Sequence, residues 1–313
     1  MTRQVSQSRV GDLTGAVAAR ERLRVVMLIN KMHPLGGAER VTAALANHLP
    51  VDRFEVTVTT TRFPTGALRN MSLRPGIPHL SLDRRHRLDL VPFRKLMAVL
   101  QHQQIDVIHA HMFGSNLWGS MFGRLTKVPA VIAHEHSWSF EGSRWRRVLD
   151  GQVIGRLADA FVAVSERDRR RMIEVEGVPA EKTVVIPNPY IPRPMRPPID
   201  VRRSLGIAPG APLLATVAVL RPEKALGVLI EAFSLLRSSL PEVRLLIAGD
   251  GVCRESLEHR AAQLDVSDAV LFLGQWEDVG ALLEAVDVAA ITSDREGAPL
   301  FAVESMVHHT PLV

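Results

Sequence analysis

The sequence predicts an α/β protein built from two doubly wound parallel sheets that a proline-rich connector joins. Short apolar runs rich in β-branched residues alternate with segments of helical period along the chain. This alternation stops once, at the six prolines between Pro187 and Pro198, and then starts again. A chain of 313 residues with 46% hydrophobic side chains is large enough for two domains of ordinary size.

The first half contains the elements of one complete doubly wound unit. Its predicted strands cover residues 24–29, 54–60, 105–109, 130–133, 160–164 and 183–186. Its predicted helices cover residues 38–49, 116–125, 145–157 and 166–176. The helical period of the first helix predicts a buried face made of Val41, Ala44, Leu45 and His48.

The second half repeats this pattern and ends in a short apolar stub at 311–313. Its predicted strands cover residues 213–220, 244–248, 269–273 and 288–291, and its predicted helices 226–236, 253–264, 279–286 and 300–307. We therefore divide the chain into a flexible N-terminal segment 1–22, a first domain 23–187, a linker 188–200 and a second domain 201–313. Because the stub begins a further strand that nothing follows, we expect the second domain to be incomplete and the chain to be a fragment or truncated product.

Composition excludes several classes of protein. The single cysteine, Cys253, excludes a disulfide scaffold and a cysteine-based zinc cluster. Residues 1–22 are polar and lack the apolar core of a signal peptide. The longest uncharged run, 107–123, contains histidines, serines and an asparagine and is too short for a membrane span. We expect a cytoplasmic protein.

Basic residues are concentrated in the first half of the chain. Residues 1–190 carry 27 Lys and Arg against 17 Asp and Glu, whereas the remainder carries 11 against 16. Clusters at 84–87, 144–147 and 167–171, with Trp138 and Trp145 nearby, predict contact with anionic lipid headgroups and a peripheral location at the inner face of the plasma membrane. A solvated helix face is the alternative for 167–171. Nucleic-acid binding is disfavoured, because no reader motif accompanies these charges.

Two glycine pairs follow predicted strands at the sheet edge where ligands bind in doubly wound folds. Gly36 and Gly37 open a helix after the first strand, and Gly249 and Gly251 follow the strand 244–248. Backbone N–H groups at such turns can contact a phosphate or a sugar. The alternatives are plain tight turns, with Asp250 capping the next helix in the second case.

Charged residues follow two predicted strands of the second half. Arg221 and Lys224 come directly after the strand 213–220 and can bind a diphosphate, although a solvated loop is the alternative. Pro299 suits a helix start, so Glu296 is predicted in the loop above this helix and Glu304 on the helix itself. Both carboxylates can accept hydrogen bonds from sugar or ribose hydroxyls. The alternative is an exposed glutamate pair.

Four histidines alternate near the ends of two predicted strands of the first half. His109 and His111 lie on one strand, and His134 and His136 follow the same pattern on the next. This arrangement raises the possibility of a four-histidine metal site. We favour buried neutral histidines, with His109 and His134 pointing into the layer that covers the sheet, and predict no metal site.

These stretches resemble, in order and spacing, the family 4 retaining glycosyltransferases of the GT-B fold. The resemblance covers about residues 24–313. The matching stretches are HPLGGAERV at 33–41, DVIHAH at 106–111, HEHSW at 134–138, AVSE at 163–166, VVIPNP at 184–189, RPEK at 221–224, LLIAGDG at 245–251, VLFLG at 270–274 and EGAPLFAVE at 296–304.

The resemblance implies two Rossmann-like domains that face each other across a cleft, the second of them incomplete. It implies a hexosyltransferase that moves a sugar from a nucleotide-diphosphate sugar to a glycan, lipid-linked or phospholipid acceptor in cell-envelope polysaccharide or glycolipid synthesis. No metal or other cofactor is implied. The sequence shows no convincing carboxylate nucleophile, so we expect front-face attack with retention of configuration.

The resemblance also implies roles for individual residues. Glu296 contacts the donor sugar and Glu304 the ribose hydroxyls, while His136 lines the reaction site. Lys224 binds the diphosphate. The remaining donor-binding positions are Gly36, Gly37, Arg221, Gly249, Gly251, Gly297 and Leu300.

Two residues depart from the family pattern. Val219 stands where the family usually has the diphosphate arginine, for which Arg221 is the nearest substitute, and His309 stands where the family usually has glycine. These departures leave two alternatives open. One is a non-catalytic or decayed family member that acts in binding or assembly, and the other is a nucleotide-sugar epimerase or hydrolase of the same fold.

Overall fold

The computed structural model describes residues 21–32, 36–62, 73–86, 89–136, 143–191 and 199–313. The chain divides into two compact units, unit 1 up to Pro187 and unit 2 from Asn188 onward. The predicted N-terminal segment up to residue 20, the proline run at 192–198 and Trp138 lie outside the described residues. None of the helices in the described part combines the length and apolar character that a membrane span needs.

In the described part of unit 1, seven parallel strands form one sheet in the order β3-β2-β1-β4-β5-β6-β7. Their bounds are β1 Leu23–Ile29, β2 Phe54–Thr60, β3 His79–Ser81, β4 Val107–His111, β5 Ala130–His134, β6 Ala160–Ala163 and β7 Thr183–Val185. The chain moves outward from β1 to β3 and then returns to the other side of β1 with β4. The topological switch point therefore lies between β1 and β4.

Helices cover both faces of this sheet, as an all-parallel sheet requires. They are α1 Gly37–His48, α2 Phe93–His102, α3 Phe113–Leu125, α4 Arg144–Val148, α5 Gly155–Leu157 and α6 Glu166–Glu174. A π-helical segment, Leu149–Ile154, joins α4 to α5. In β1, Val26 and Leu28 pack with the α2 layer, while Val25 and Met27 pack on the opposite face.

Unit 2 repeats the topology with four parallel strands in the order β10-β9-β8-β11. The strands are β8 Leu213–Val217, β9 Arg244–Ala248, β10 Val270–Gly274 and β11 Val288–Ala289. The helices are α7 Val201–Ser204, α8 Leu226–Ser239, α9 Arg254–Gln263, α10 Val279–Ala285 and α11 Leu300–Val307. The switch point lies between β8 and β11. The terminal Leu312 pairs in parallel with Ala289, so the stub continues the sheet beside β11.

Three predictions about local structure need correction. In α1, Val41 is buried and Leu45 packs against the core as predicted, but the other buried residues are Thr42, Ala43 and Ala46. His48 is exposed in the last turn, where its ring lies 2.8 Å from the Ala44 carbonyl oxygen. The predicted strand 105–109 lies two residues too early, since β4 ends at His111. The elements β3 and α2 were not predicted. A three-residue strand has no measurable period, whereas the helical spacing of Phe93, Leu96 and Leu100 is the sequence signal of α2.

Candidate functional site

Hydrogen bonds join the loops that follow β8 and β11 at the switch point of unit 2. The first contains the 3₁₀ turn Pro222–Lys224, and the second leads to α11. The Thr292 hydroxyl donates to the carbonyl oxygen of Lys224 at 3.2 Å. The backbone N–H of Asp294 donates to the carbonyl oxygen of Glu223 at 3.1 Å. The two loops thus form one surface where doubly wound folds bind ligands.

Lys224, Ser293 and Glu296 form a hydrogen-bonded cluster on this surface, which we call the ion-pair cluster. The Lys224 ammonium donates to Glu296 Oε1, and the Ser293 hydroxyl donates to the same oxygen at 2.8 Å. The Lys224 and Glu296 side chains are 24% and 22% exposed. Lys224 and Glu296 are 72 residues apart in the sequence. Ser293 was not predicted, because its only signal is a hydroxyl three residues before Glu296 in the same loop.

The segment 296–304 has the predicted local structure. Pro299 is the N-cap of α11, so Glu296 and Gly297 lie in the preceding loop. Leu300 begins the helix and is 9% exposed, and Glu304 is 5% exposed. The alternative of an exposed glutamate pair is therefore wrong for Glu304. The Arg221 side chain is 60% exposed, and its guanidinium lies 3.9 Å from the Glu223 carboxylate.

Gly249 and Gly251 pack against the backbone that leads to Lys224. A Cβ atom on Gly249 would collide with the carbonyl oxygen of Ala218, and one on Gly251 with that of Leu220. Gly249 also has φ +132°, which side chains disfavour. The Asp250 carboxylate accepts from the Gly251 N–H at 2.8 Å, and Cys253 is the N-cap of α9. Asp250 therefore does not cap this helix.

In unit 1, the switch point carries a helix start with no side-chain cap. Gly36 is the N-cap of α1, with φ −77°, and Gly37 is its exposed first residue. The three nearest atoms to a Cβ built on Gly36 all belong to the flexible Glu39 side chain. The glycines leave backbone N–H groups accessible, although the backbone of Gly36 does not require glycine. His33, Pro34 and Leu35 lie outside the described residues.

The four histidines form one compact group, which we call the histidine cluster. The Nε2 atom of His109 lies 3.3 Å from the Nδ1 atom of His134, and His111 Nδ1 lies 3.0 Å from His136 Nε2. The stacked or tilted ring pairs have centroids 4.2 to 5.4 Å apart. His111 pairs with His134 in the register of β4 and β5. Alternate residues of two adjacent strands thus share one face.

The rings of His109 and His134 contact each other and those of His111 and His136, so the four histidines lie together on one face of the sheet. Burial lowers the pKa of His109 to about 4. Burial and the neighbouring His109 ring together lower the pKa of His136 to about 3. Burial and the neighbouring rings lower the pKa of His111 and His134 well below the usual value. All four imidazoles are neutral at pH 7.

The backbone around the histidine cluster is firmly held. The Asn116 amide donates to the His134 carbonyl oxygen and accepts from the His134 N–H, both at 3.2 Å. The Met112 N–H donates to the same carbonyl oxygen at 2.9 Å. Met112 has φ 70° and ψ 151°, a conformation that non-glycine residues adopt only under strain. Strain of this kind concentrates at functional sites, and sequence analysis did not single out either residue.

Buried carboxyl groups lie next to the histidine cluster around a single guanidinium. Arg146 lies 3.9 Å from the Glu135 carboxylate and 3.7 Å from that of Asp150. Burial, followed by repulsion between neighbouring carboxylates, raises the pKa of Glu135 to about 8 and that of Asp150 to about 9. Glu176 contributes to this repulsion at both groups. Because burial raises both pKa values above 7, Glu135 and Asp150 retain protons at neutral pH.

Comparison with protein-family models gives two matches that together cover most of the chain. The model described as Glycosyltransferase Family 4 matches residues 35–192, which is just over half of the sequence. The model described as Glycosyl transferases group 1 matches residues 199–313.

Curated relatives carry glycosyltransferase names. The chain is 23% identical over 307 residues to UDP-Gal:alpha-D-GlcNAc-diphosphoundecaprenol alpha-1,3-galactosyltransferase of Escherichia coli, a match that covers 91% of this chain and 77% of that protein. It is 30% identical over 229 residues to D-inositol 3-phosphate glycosyltransferase of Nocardia farcinica, covering 66% of this chain and 51% of the relative. The chain thus spans between about half and three-quarters of these two relatives' length.

Solved structures share the fold. HepE of Anabaena, in complex with UDP and glucose, has a TM-score of 0.76 at 21% sequence identity, over 93% of this chain and 80% of that one. Sucrose-phosphate synthase of Thermosynechococcus elongatus has a TM-score of 0.73 at 19% identity over the same shares of the two chains. At these identities the similarity shows a common architecture.

Proposed function

Because the chain belongs to glycosyltransferase family 4 and has the two-domain, Rossmann-like GT-B fold, we propose that it transfers a hexose from a nucleotide-diphosphate sugar to a glycan, lipid-linked or phospholipid acceptor. The observation that carries this proposal is the ion-pair cluster at the switch point of unit 2. A diphosphate needs a cation, and sugar hydroxyls need an acceptor. Lys224 and Glu296 supply both within one hydrogen-bonded group.

Lys224 and Glu296 are paired with each other in the structure, so donor binding would exchange one set of partners for another. The Lys224 ammonium turns from the Glu296 carboxylate to the diphosphate, and the carboxylate turns to the hydroxyls of the sugar. The Ser293 hydroxyl, which donates to Glu296 Oε1 at 2.8 Å, keeps the carboxylate oriented during this exchange. We assign the ribose hydroxyls to Glu304. The names of relatives and the bound UDP and glucose of HepE support a nucleotide-sugar donor.

The transfer step breaks the bond between the anomeric carbon and the diphosphate oxygen and forms a bond from that carbon to the acceptor oxygen on the same face. The acceptor's proton passes to the departing phosphate oxygen, so configuration is retained. Lys224 and Arg221 stabilise the negative charge that develops on the leaving group. We assign no metal to this step, because these cations and helix N-termini supply the positive charge.

We assign His136 in unit 1 the role of orienting the sugar or the acceptor hydroxyl. Its ring is neutral at pH 7 because burial lowers its pKa to about 3, and it lies within hydrogen-bond distance of His111. A neutral imidazole donates or accepts one hydrogen bond at each nitrogen but carries no charge. We assign Gly36 and Gly37, at the uncapped start of α1, the role of contacting the donor's phosphates through their backbone N–H groups.

We place the reaction at the cytoplasmic face of a membrane with anionic lipids, and α4 supports this location. Trp145 is 59% exposed and Val148 is 57% exposed on this helix, beside the exposed Arg144. An aromatic ring and an aliphatic side chain can enter the headgroup region while the arginine contacts lipid phosphates. The diphosphoundecaprenol in the name of the Escherichia coli relative supports a lipid-linked acceptor.

Calorimetry tests the proposal directly. We expect the purified chain to bind one of UDP-, GDP- or ADP-glucose and to lose at least about tenfold in affinity in the Lys224→Ala variant, since a charged hydrogen bond is worth about 1.5–3 kcal/mol. The matched control is Arg260→Ala, which breaks the Arg260–Glu231 ion pair between α8 and α9. Equal binding by Lys224→Ala and the unaltered chain would remove the basis of the donor-site assignment.

A non-catalytic family member is the second candidate, and Val219 and His309 favour it. Val219 removes a cation from the diphosphate site, and His309 places a side chain where the backbone has φ +54°. Binding of a nucleotide sugar without transfer to any lipid or glycan acceptor would support this candidate. Transfer to an acceptor would exclude it.

A further inference from the structure

We propose that the histidine cluster binds one divalent transition-metal ion of the zinc type. The family resemblance and the transfer step require no such ion. The inference rests on the positions, the burial and the chemistry of His109, His111, His134 and His136 alone.

The ring nitrogens lie close together, and one pair has the spacing expected of two ligands on one metal ion. One ligand atom from each of His109, His111 and His134 lies within 4.8 Å of the other two. The 3.3 Å between His109 Nε2 and His134 Nδ1 matches the edge of a tetrahedron whose metal–nitrogen bonds are about 2.0–2.1 Å. His136 Nε2, at 3.0 Å from His111 Nδ1, is the nearest candidate for a fourth ligand. Three histidines with one further position are a common zinc environment.

Buried nitrogens in this group lack the partners that buried polar atoms normally have. Among the described residues, the Nε2 atoms of His111 and His134 and the Nδ1 atom of His136 are inaccessible to solvent and have no hydrogen-bond partner. His111 and His134 are 0% and 4% exposed. These atoms are the ring nitrogens opposite His111 Nδ1, His134 Nδ1 and His136 Nε2, which face the neighbouring rings. An ion held by the facing nitrogens would leave the unpartnered ones uncoordinated, so the proposal rests on the spacing of the facing nitrogens.

The donor atoms select the kind of ion. The neutral imidazole is the form of histidine that coordinates metals. Imidazole nitrogen suits Zn²⁺, Cu²⁺, Ni²⁺ and Co²⁺, whereas Mg²⁺ and Ca²⁺ prefer oxygen ligands. The strand register and the Asn116 hydrogen bonds to the His134 backbone hold the backbone that carries the His111 and His134 rings. Such preorganisation raises metal affinity.

An ion at this site would change the hydrogen bonding of His136. Coordination through His111 Nδ1 would end its contact with His136 Nε2, and coordination by His136 itself would occupy that ring. If the proposed transfer reaction is correct, zinc therefore inhibits it. This consequence depends on the proposed function, whereas metal binding itself does not. The two are separated by measuring binding without any sugar.

The experiment uses the full chain, without a polyhistidine tag, stripped of metals with a chelator that is then removed. Zn²⁺ binding is measured by competition with a chromophoric chelator, and Co²⁺ binding by its visible absorption spectrum. We expect about one Zn²⁺ per chain, a cobalt spectrum of tetrahedral type and no competition from Mg²⁺. X-ray absorption at the zinc edge should show at least three imidazole nitrogens, a measurement that needs no substitution.

Variants test the assignment to these residues. His109→Gln and His134→Gln should each lower zinc affinity by about 100-fold or more, since loss of even an outer-shell contact typically costs 10–100-fold. The controls are His102→Gln and His259→Gln, which alter exposed histidines on α2 and α9 and should leave affinity unchanged. The proposal is overturned if the chain binds no Zn²⁺, if zinc has oxygen ligands only, or if both cluster variants, folded by circular dichroism, bind as tightly as the controls. A rate of transfer that zinc does not change would contradict only the inhibition.

Discussion

The two units carry different chemistry near the switch points of their sheets. At the switch point of unit 2, a charged pair, Lys224 and Glu296, keeps roughly a quarter of each side chain in solvent. Next to the switch point of unit 1, the rings of His111 and His134 are neutral and almost completely buried. A shared fold therefore fixes where a site lies, while the residues in its loops and strand ends fix what the site can bind.

This difference predicts how function and stability are related in each unit. The ion-pair cluster lies on loops, and its members hydrogen-bond one another. Its side chains can therefore change partners without disrupting the packing of a hydrophobic core. The rings of the histidine cluster are part of the packing between β4 and β5, so substitutions there affect folding as well as binding. Five substitutions, arranged in four predictions, test this contrast, beginning with the one that has the largest expected effect.

Glu296→Gln should separate activity from stability in unit 2. The glutamine keeps the shape of the side chain but loses the charge that pairs with Lys224 and accepts from sugar hydroxyls. We expect sugar transfer to fall by about 100-fold or more, comparable to the loss of one stabilising group at a transition state. The free energy of unfolding should change by no more than about 1 kcal/mol, because the pair is partly solvated. Transfer assays and urea denaturation measure the two quantities.

The opposite pattern would contradict the contrast between the units. If Glu296→Gln destabilised the fold by several kcal/mol and left transfer intact, the ion-pair cluster would be a structural feature. The Arg260→Ala variant, which breaks a more exposed ion pair of the same unit, is the control for loss of an ion pair as such.

Glycine-to-alanine substitutions test the backbone of the two switch points. Gly249→Ala should destabilise unit 2 by about 3 kcal/mol or more, because its φ is +132° and a Cβ atom would collide with the Ala218 carbonyl oxygen. Gly36→Ala in unit 1 should cost less than about 1 kcal/mol, since φ is −77° and the obstructing group is a flexible glutamate. Denaturant unfolding of both variants measures the difference in destabilisation. Equal losses of stability would show that the two turns require glycine to the same degree.

The sequence predicted most of the strands, because buried parallel strands are continuous apolar runs that need no knowledge of their neighbours. It also predicted the helix start at Pro299 and the residues Lys224 and Glu296. It did not predict that these two side chains would pair, because 72 residues separate them and only the order of β8 and β11 brings their loops together. The ring contacts of His109 and His134 were missed because they depend on the register between β4 and β5.

Asp150→Asn tests the buried carboxyl group behind the histidine cluster. The pKa of Asp150 is raised from 3.8 to about 9, so the folded state keeps a proton that the unfolded chain releases above pH 3.8. Stability should therefore fall as the pH rises toward 9, by up to about 1.4 kcal/mol per pH unit for this group. Asparagine resembles the protonated carboxyl and does not titrate, so the variant should lose stability less steeply between pH 6 and 9.

Urea unfolding at several pH values measures these slopes. Glu135, with a pKa raised to about 8, contributes in the same direction in both proteins and leaves a residual slope in the variant up to that pH. Asp268→Asn is the control, because the Arg237 guanidinium lowers the pKa of that exposed carboxyl. Parallel stability curves for Asp150→Asn and the unaltered chain would show that Arg146 keeps Asp150 ionised in the folded state.

His309→Gly has the smallest expected effect and the opposite sign. Helix α11 ends in a Schellman motif, in which the Thr310 N–H donates to the Ser305 carbonyl oxygen and the His309 N–H to that of Met306. His309 occupies the left-handed position of this motif with φ +54°, where glycine is the usual residue, and its side chain is exposed. Relief of backbone strain outweighs the greater freedom of glycine in the unfolded chain, so stability should rise by about 0.5–1 kcal/mol.

His308→Gly, at a position with φ −88°, is the matched control and should destabilise. A gain from both substitutions would assign the effect to loss of the imidazoles rather than to the backbone, whereas a gain at His309 alone would show that the departure from glycine costs stability and does not alter the fold.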